Sequence, residues 1–314
     1  MVTIYLYVFT RYGGKIKTCV LCLLLFCFHL KPKAQVPSFD YLNIEKGLSQ
    51  NSVLAITQDS RGFMWFGTRF GLNRYDGIHF KSYINGNSHG LSDSYILSLL
   101  ADSHHTLWVG TLIGLCKYLP QTDSFETVGA KSNLKGANIS CIYEDKKGTV
   151  WVGTEKGLNQ LNPAGNSFTF FGIPNLGGST VKAIFEDHEG KLWIGTSNGL
   201  TQMTPKNNAF TFKTFKKADK NPGSLTDDYI TAIAEDGQYN LWIGTQNGGV
   251  NFFDRATGSF SYVAMPGINS NNIRKIEKDK QGKLWIGTQE GLFIVDPITK
   301  MALPVHTIQL SKKA

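Results

Sequence analysis

One stretch of the chain has the composition of a phosphate-binding loop. In EDHEGKLWIGTSNGLTQM (Glu186 to Met203), glycines at positions 190, 195 and 199 are interspersed with acidic and hydroxyl side chains. Near-copies occur five more times: QDSRGFMWFGTRFGLNRY, ADSHHTLWVGTLIGLCKY, EDKKGTVWVGTEKGLNQL, EDGQYNLWIGTQNGGVNF and KDKQGKLWIGTQEGLFIV. A phosphate site is needed once, whereas a segment present six times is a unit of architecture. We therefore interpret the stretch as a structural repeat.

Two residue types inside the repeat could still do chemistry. An aspartate six positions before each tryptophan, in pairs such as QD and ED, could act as a general acid or base, and the tryptophans could stack on sugars. Their sixfold repetition favours turn capping for the aspartates and packing between units for the tryptophans. The aspartates are Asp59, Asp102, Asp145, Asp187, Asp236 and Asp279, and the tryptophans are Trp65, Trp108, Trp151, Trp193, Trp242 and Trp285.

No other group of residues predicts catalysis. The seven histidines show no metal-ligand spacing, and His104 and His105 fall in a turn. The chain contains no Gly-x-Ser-x-Gly, no paired-cysteine metal motif and no nucleotide-binding pattern. The sequence therefore predicts no catalytic residues, no metal and no cofactor.

The first 34 residues account for most of the basic excess. The formal charge is +8, but without this segment 27 basic residues face 24 acidic ones, so nucleic-acid binding is not expected. Basic residues precede the apolar run Cys19–Leu30, which is shorter than the roughly 20 residues of a membrane-spanning helix. We expect 1–34 to be a signal peptide, with an uncleaved N-terminal anchor as the alternative, and the protein to be exported to the periplasm. The remaining cysteines, Cys116 and Cys141, are expected to be buried free thiols.

The spacing of the repeat predicts an all-β fold. The tryptophans are 43, 43, 42, 49 and 43 residues apart, a period typical of β-propellers with four-stranded blades. In each unit, an apolar first strand leads to a turn opened by the aspartate, and the LWIGT element forms the second strand. His105 and Tyr239 stand where four units have glycine in that turn, so we expect those two turns to differ. The glycine two residues after each tryptophan should let a neighbouring backbone approach closely.

The Asp-x-x-Gly turn, the LWIGT strand and the Gly-Leu that follows resemble the two-component regulator propeller repeat. The opening stretch FDYLNIEKGLSQNSVLAITQDSRGFMWFGT (Phe39–Thr68) also resembles the usual start of such sensors. This resemblance implies the periplasmic sensor region of a hybrid histidine kinase, with a carbohydrate as the expected ligand and no catalytic region in this chain. We assign 36–305 to a β-propeller sensor domain and 306–314 to a C-terminal tail.

The number of blades has two interpretations. The aromatic segment Phe39–Leu42 precedes six full units and has the character of a fourth strand. We expect an N-terminal fragment cut within a seven-bladed ring, and a closed six-bladed ring is the alternative.

Function is expected in loops that break the repeat. The connections between second and third strands and those between blades should emerge on one face of the ring, where variable loops carry ligand contacts. The candidate ligand-binding residues are Arg69, Glu155, Lys156, Asn198, Gln246, Asn247, Gln289 and Glu290. Expected partners are a glycan or another small periplasmic ligand and a second copy of the chain. The inner membrane is expected only through an uncleaved N-terminus or C-terminal parts missing from this chain. A glycan-degrading propeller enzyme and a protein-interaction scaffold are the alternative functions.

Overall fold

The computed structural model describes residues 41–305 except 87, 88, 208, 266, 267 and 269. The proposed signal peptide, the tail and the residues Phe39 and Asp40 lie outside this part. Within it, 24 strands form six sheets of four strands, and two 3₁₀ helices cover Ile44–Lys46 and Ala130–Ser132. No helix among the described residues is long and apolar enough to cross a membrane.

The strands are numbered in chain order, four to a blade. Blade 1 comprises β1 (Val53–Gln58), β2 (Met64–Thr68), β3 (Gly71–Tyr75) and β4 (Phe80–Tyr83). Blade 2 comprises β5 (Ile96–Ala101), β6 (Leu107–Thr111), β7 (Leu115–Leu119) and β8 (Ser124–Thr127). Blade 3 comprises β9 (Ile139–Glu144), β10 (Val150–Thr154), β11 (Leu158–Leu161) and β12 (Phe168–Phe171). Blade 4 comprises β13 (Val181–Glu186), β14 (Leu192–Thr196), β15 (Gly199–Lys206) and β16 (Ala209–Phe215). Blade 5 comprises β17 (Ile230–Glu235), β18 (Leu241–Thr245), β19 (Val250–Asp254) and β20 (Ser259–Tyr262). Blade 6 comprises β21 (Ile273–Lys278), β22 (Leu284–Thr288), β23 (Leu292–Val295) and β24 (Ala302–Pro304).

Every blade is an antiparallel meander, in which each strand pairs with the next one in the chain. The first strands of successive blades contact each other, from β1 and β5 through to β17 and β21, so the blades follow one another in ring order. The predicted all-β propeller of four-stranded blades is confirmed for six blades. A seventh blade is not present among the described residues, and a closed six-bladed ring is compatible with this arrangement.

The apolar core lies between blades, in five clusters that join each blade to the next. Each cluster includes the tryptophan of the earlier blade and the first two strands of the later one. Trp65 packs with Ile96 and Val109, for example, and Trp242 packs with Ile273 and Ile286. A tryptophan that is removed from water in this way contributes several kcal/mol as an upper estimate, at about 25 cal/mol per Å².

The glycine two residues after the tryptophan makes room for a side chain of the next blade. The expectation that it lets a neighbouring backbone approach is therefore wrong. A Cβ atom on Gly67 would lie 2.6 Å from Cγ2 of Ile96, and one on Gly244 would lie 2.6 Å from Cγ2 of Ile273. These distances are below contact, so the first residue of each later blade fits against a bare Cα of the earlier one. This contact fixes how closely two blades approach.

Within the part of the chain that the structure describes, blade 1 has no blade packed before it and blade 6 has none packed after it, so one side of each lacks this packing. A Cβ on Gly287 would meet only the carbonyl oxygen of Lys275, at 4.0 Å. Leu54 and Ile56 on β1 are 40% and 57% exposed, whereas Ile276, at the position of Ile56 in blade 6, is 2% exposed. Among the described residues, no buried apolar cluster joins blade 6 to blade 1.

Two expectations on chain segments require correction. Tyr41 and Leu42, the described half of the expected extra fourth strand, form no strand. The 49-residue spacing between Trp193 and Trp242 predicts a long loop at 216–228, but most of the extra length lies in the β15–β16 hairpin. Its strands have 8 and 7 residues, against 5 and 4 for β3 and β4.

Candidate functional site

The conserved geometry of the repeat centres on the aspartate between the first and second strands of each blade. Oδ1 of Asp102 accepts the backbone N–H groups of His104 and Thr106, at 3.0 and 2.7 Å. Oδ2 accepts the indole N–H of Trp108, at 2.8 Å. The other five blades repeat this bond, with indole-to-carboxylate distances of 2.8 to 2.9 Å. The carboxylate is thus a structural clamp, and its oxygens are occupied in a way that disfavours general acid or base chemistry.

All six of these turns share one backbone conformation, so the expected difference at His105 and Tyr239 is wrong. His105 has φ of 65° and Tyr239 has φ of 66°, close to the 77° of Gly190 and the 78° of Gly148. The left-handed region is costly for residues with a Cβ atom. The clamp on the aspartate therefore imposes the turn even where the sequence lacks glycine.

Ion-pair networks supplement the clamp between some blades. Between blades 4 and 5, the Arg255 guanidinium lies 3.1 Å from Asp187 Oδ2, 3.1 Å from Glu189 Oε2 and 2.7 Å from Glu235 Oε1. Burial acts to raise the pKa of Asp187, but hydrogen bonds from Trp193, from the Lys191 backbone and from Arg255 outweigh it and leave this pKa lowered. Asp187 is therefore held as a carboxylate inside the interface.

A second network joins blades 1 and 2 through Asp123. Its Oδ1 accepts the hydroxyl groups of Tyr83 and Tyr118 at 2.7 and 2.6 Å, and Arg74 and Lys81 form ion pairs with the same carboxylate. Burial opposes ionisation, but the hydrogen bonds from Lys81, Tyr118 and Tyr83 lower the pKa of Asp123. These residues resemble a catalytic cluster in type, yet each donor is directed at one structural carboxylate.

The face of the propeller opposite the aspartate turns carries the predicted ligand-binding residues, and we call it the loop face. It is formed by the turn between the second and third strands of every blade, together with the connections between blades. A threonine closes each turn: Thr196 Oγ1, for example, donates to Gly199 O at 2.8 Å and accepts Asn198 N–H at 3.1 Å. All eight candidates occupy these turns, one or two to a blade, in blades 1 and 3 to 6.

Three of the eight candidates are engaged in holding neighbouring loops. The Glu155 carboxylate accepts the backbone N–H groups of Ala137 and Asn138, at 3.2 and 3.0 Å. Asn198 donates to Gly177 O at 3.0 Å, and Gln289 accepts from the Asn272 side chain at 3.2 Å. Among the described residues, the side chains of the other five form no hydrogen bonds; these are Arg69, Lys156, Gln246, Asn247 and Glu290.

The candidate set omits an apolar sector of the loop face. Phe70, Leu112 and Ile113 occupy the equivalent turns of blades 1 and 2 and are 57%, 41% and 59% exposed. Their position in the repeat was visible in the sequence. Their exposure was not, because a hydrophobic residue in a turn gives no sequence signal of its surroundings.

Two buried oxygens near this face have no hydrogen-bond partner within the described part of the chain: Thr231 Oγ1 and Asn272 Oδ1. Thr231 is the second residue of β17, and Asn272 directly precedes β21. Both therefore lie at the loop-face ends of the first strands of adjacent blades 5 and 6. Buried polar atoms without a partner are rare and costly, but both oxygens are enclosed by the protein, so a ligand on the loop face would not contact them.

Metal and thiol chemistry gain no support from the geometry. Within residues 41–305, apart from the six omitted ones, no three His, Cys, Asp or Glu side chains are placed to hold a metal ion. Cys116 and Cys141 are free, and burial raises the pKa of the Cys141 thiol to about 12. Cys141 is thus held as an unreactive thiol at neutral pH.

Comparisons with known proteins agree with this architecture. The profile of the two-component regulator propeller matches six times, at residues 47–70, 90–112, 133–156, 175–198, 224–247 and 267–290. A 69-residue stretch, 21% of the chain, is 45% identical to histidine kinase P4 of Formosa agariphila and covers 5% of that protein. The chain therefore spans a small part of this relative.

Solved structures show the same fold. The extracellular domain of a B. thetaiotaomicron protein described as a hybrid two-component system aligns with a TM-score of 0.51 at 21% identity, covering 85% of this chain and 41% of that one. Virginiamycin B lyase from Staphylococcus aureus aligns with a TM-score of 0.60 at 15% identity, covering 82% and 85%. Identities this low show the fold alone, whereas the six profile matches fall one to a blade. The chain belongs to the two-component regulator propeller family.

Proposed function

We propose that this chain is the ligand-sensing, extracytoplasmic β-propeller of a two-component signal-transduction sensor, and that its ligand is a carbohydrate. The six family repeats and the likeness to an extracellular domain of a hybrid two-component system support the sensor role. The observation that carries the ligand assignment is the mixed chemistry of the loop face.

Apolar and polar groups on that face lie on different blades, except that Arg69 stands beside Phe70 on blade 1. Phe70, Leu112 and Ile113 expose apolar surface on blades 1 and 2, and amide and charged side chains occupy the turns of blades 3 to 6. A sugar ring presents an apolar C–H surface together with hydroxyl groups that donate and accept hydrogen bonds. The amide groups of Gln246 and Asn247, whose side chains form no hydrogen bonds among the described residues, are available to bind such hydroxyl groups.

Signalling then requires only that the ligand bind one geometry of the receptor better than another. Phosphotransfer is assigned to parts of the sensor other than this propeller. The likeness to a lyase rests on fold alone and brings no catalytic role to this chain.

The experiment is a screen of neutral oligosaccharides against the purified chain, followed by calorimetric titration of the best binder. We expect the double substitution Gln246→Ala and Asn247→Ala to weaken binding about tenfold or more, the size of a lost hydrogen-bonding pair in a desolvated site. Gln121→Ala on the opposite face is the matched control and should bind normally. Binding to no glycan would refute the carbohydrate assignment, and turnover of a bound glycan would favour an enzyme.

A further inference from the structure

A cleft between blades 2 and 3 opens on the face opposite the loop face. Its volume is about 440 Å³, in the range of small-molecule sites. Blade 2 contributes Asp102, His104 and Lys117 to its wall, and blade 3 contributes Lys147, Gln160 and Pro163. We call this space the blade 2–3 cleft.

The equivalent space between blades 4 and 5 is occupied by an arginine. Val250 pairs with Gly244 in blade 5, and Leu158 pairs with Gly153 in blade 3, so these residues occupy matching register positions. Five residues later, blade 5 has Arg255 and blade 3 has Pro163. Arg255 extends to the clamp carboxylate Asp187, at 3.1 Å. Proline has no such side chain, so the space beside Asp102 is left as the cleft.

Among the residues that the structure describes, Lys117 in the cleft also lacks the acidic partner that the equivalent residue of blade 1, Arg74, has in Asp123. Lys117 pairs with Trp108 in the register at which Arg74 pairs with Trp65. Arg74 lies 3.3 Å from Asp123, two residues before a buried phenylalanine of the next blade.

In blade 3 the corresponding residue, two before Phe168, is the uncharged Asn166. Across the described residues, neither Lys117 nor Lys147 forms a salt bridge.

The one carboxylate in the wall is already satisfied. Asp102 accepts from His104 N–H, Thr106 N–H and the Trp108 indole, at 2.7 to 3.0 Å. Lys117 and Lys147 thus bring two positive charges against the single carboxylate of Asp102, which neutral groups already hydrogen-bond, and the Gln160 amide adds a group that can bind hydroxyls. We propose that the blade 2–3 cleft binds a small hydroxylated carboxylic acid, such as a sugar acid, whose carboxylate is held by Lys117 and Lys147.

The test is calorimetric titration of the whole chain with D-glucuronate and with D-glucose, which lacks the carboxylate. We expect saturable binding of glucuronate and at least about tenfold weaker binding of glucose, because charge-assisted hydrogen bonds are lost. Lys117→Ala and Lys147→Ala should each weaken glucuronate binding about tenfold. Lys220→Ala, in the exposed loop after β16, is the matched control and should change nothing.

A second variant guards against misfolding as an explanation. Asn166→Asp keeps the oxygen that accepts from Asn162, and it supplies the acid that blade 2 has at Asp123. It should weaken glucuronate binding as the lysine variants do while the fold is kept. Equal affinity for the two sugars, no saturable binding of glucuronate at tens of millimolar, or indifference to all three substitutions would overturn the proposal.

The loop-face double variant, Gln246→Ala with Asn247→Ala, should leave glucuronate binding in the cleft unchanged. Glucuronate binding that falls with this variant instead would place the acid on the loop face and overturn the cleft assignment.

Discussion

At the scale of single residues, the clamp aspartate determines both the turn and the tryptophan of each blade. Its two oxygens have separate tasks: Oδ1 holds two backbone N–H groups, and Oδ2 holds the indole. The tryptophan is thereby held in the orientation in which the next blade packs onto it. Because the same carboxylate acts locally in all six units, the geometry persists when the turn residue changes.

The non-glycine turns store strain that a substitution can release. His105 is exposed and has φ of 65°, so His105→Gly should raise the free energy of unfolding by about 0.5–1 kcal/mol. Urea denaturation followed by tryptophan fluorescence measures it. His104→Gly, in the same turn but outside the left-handed region, is the control and should stabilise nothing. A loss of stability for His105→Gly would mean that the His105 side chain forms contacts worth more than the strain.

At the scale of the elements, the contact between a bare glycine and the first residue of the next blade sets the spacing of the sheets. Gly244 has Ile273 against it, whereas Gly287 at the same position in blade 6 has open space. The two glycines are therefore a matched pair that differ only in whether another blade follows.

We expect Gly244→Ala to be destabilising by about 1–3 kcal/mol, as overpacking of a core usually is. Gly287→Ala should be nearly neutral, within about 0.5 kcal/mol, as for surface substitutions. Thermal unfolding of both variants beside the unsubstituted chain measures the difference. An equal loss for Gly287→Ala would show that a first strand covers this position in solution.

The elements could be predicted from the sequence to the extent that they repeat. The strands around LWIGT, the turns and the order of the blades follow from six aligned copies, because a feature shared by all copies reflects a shared environment. The Arg255 and Asp123 networks could not be predicted in this way. They depend on the hairpins between third and fourth strands, which differ from blade to blade. Each also includes a contact between residues far apart in the chain: Arg255 with Asp187, 68 residues apart, and Asp123 with Tyr83, 40 residues apart.

At the scale of the whole molecule, the first and last blades present surfaces that the inner blades bury. Ile56 is 57% exposed, whereas Ile276, its equivalent in blade 6, is 2% exposed. Ile276→Ala should cost about 2–4 kcal/mol of unfolding free energy, and Ile56→Ala should cost less than about 0.5 kcal/mol. Chemical denaturation of both variants measures these costs. A large cost at Ile56 would mean that its side chain is covered in solution, by ring closure, a second copy or a further blade.

The sequence left the number of blades open for a physical reason. Blade count depends on the angle between neighbouring sheets, which side-chain fit at every interface sets jointly, and no single unit encodes it. The ligand is likewise not specified by the repeat, because the loop face is built from the positions at which the copies disagree.

The five interfaces all point the same way, with the tryptophan of one blade entering the next. Such head-to-tail joints have a donor side and an acceptor side on every unit, so any unit can in principle follow any other. A gene that gains or loses one whole repeat therefore keeps the packing of tryptophan against the next blade at every joint and changes the circumference. A propeller of this design can exchange the loops on one face by exchanging a unit rather than by altering a core.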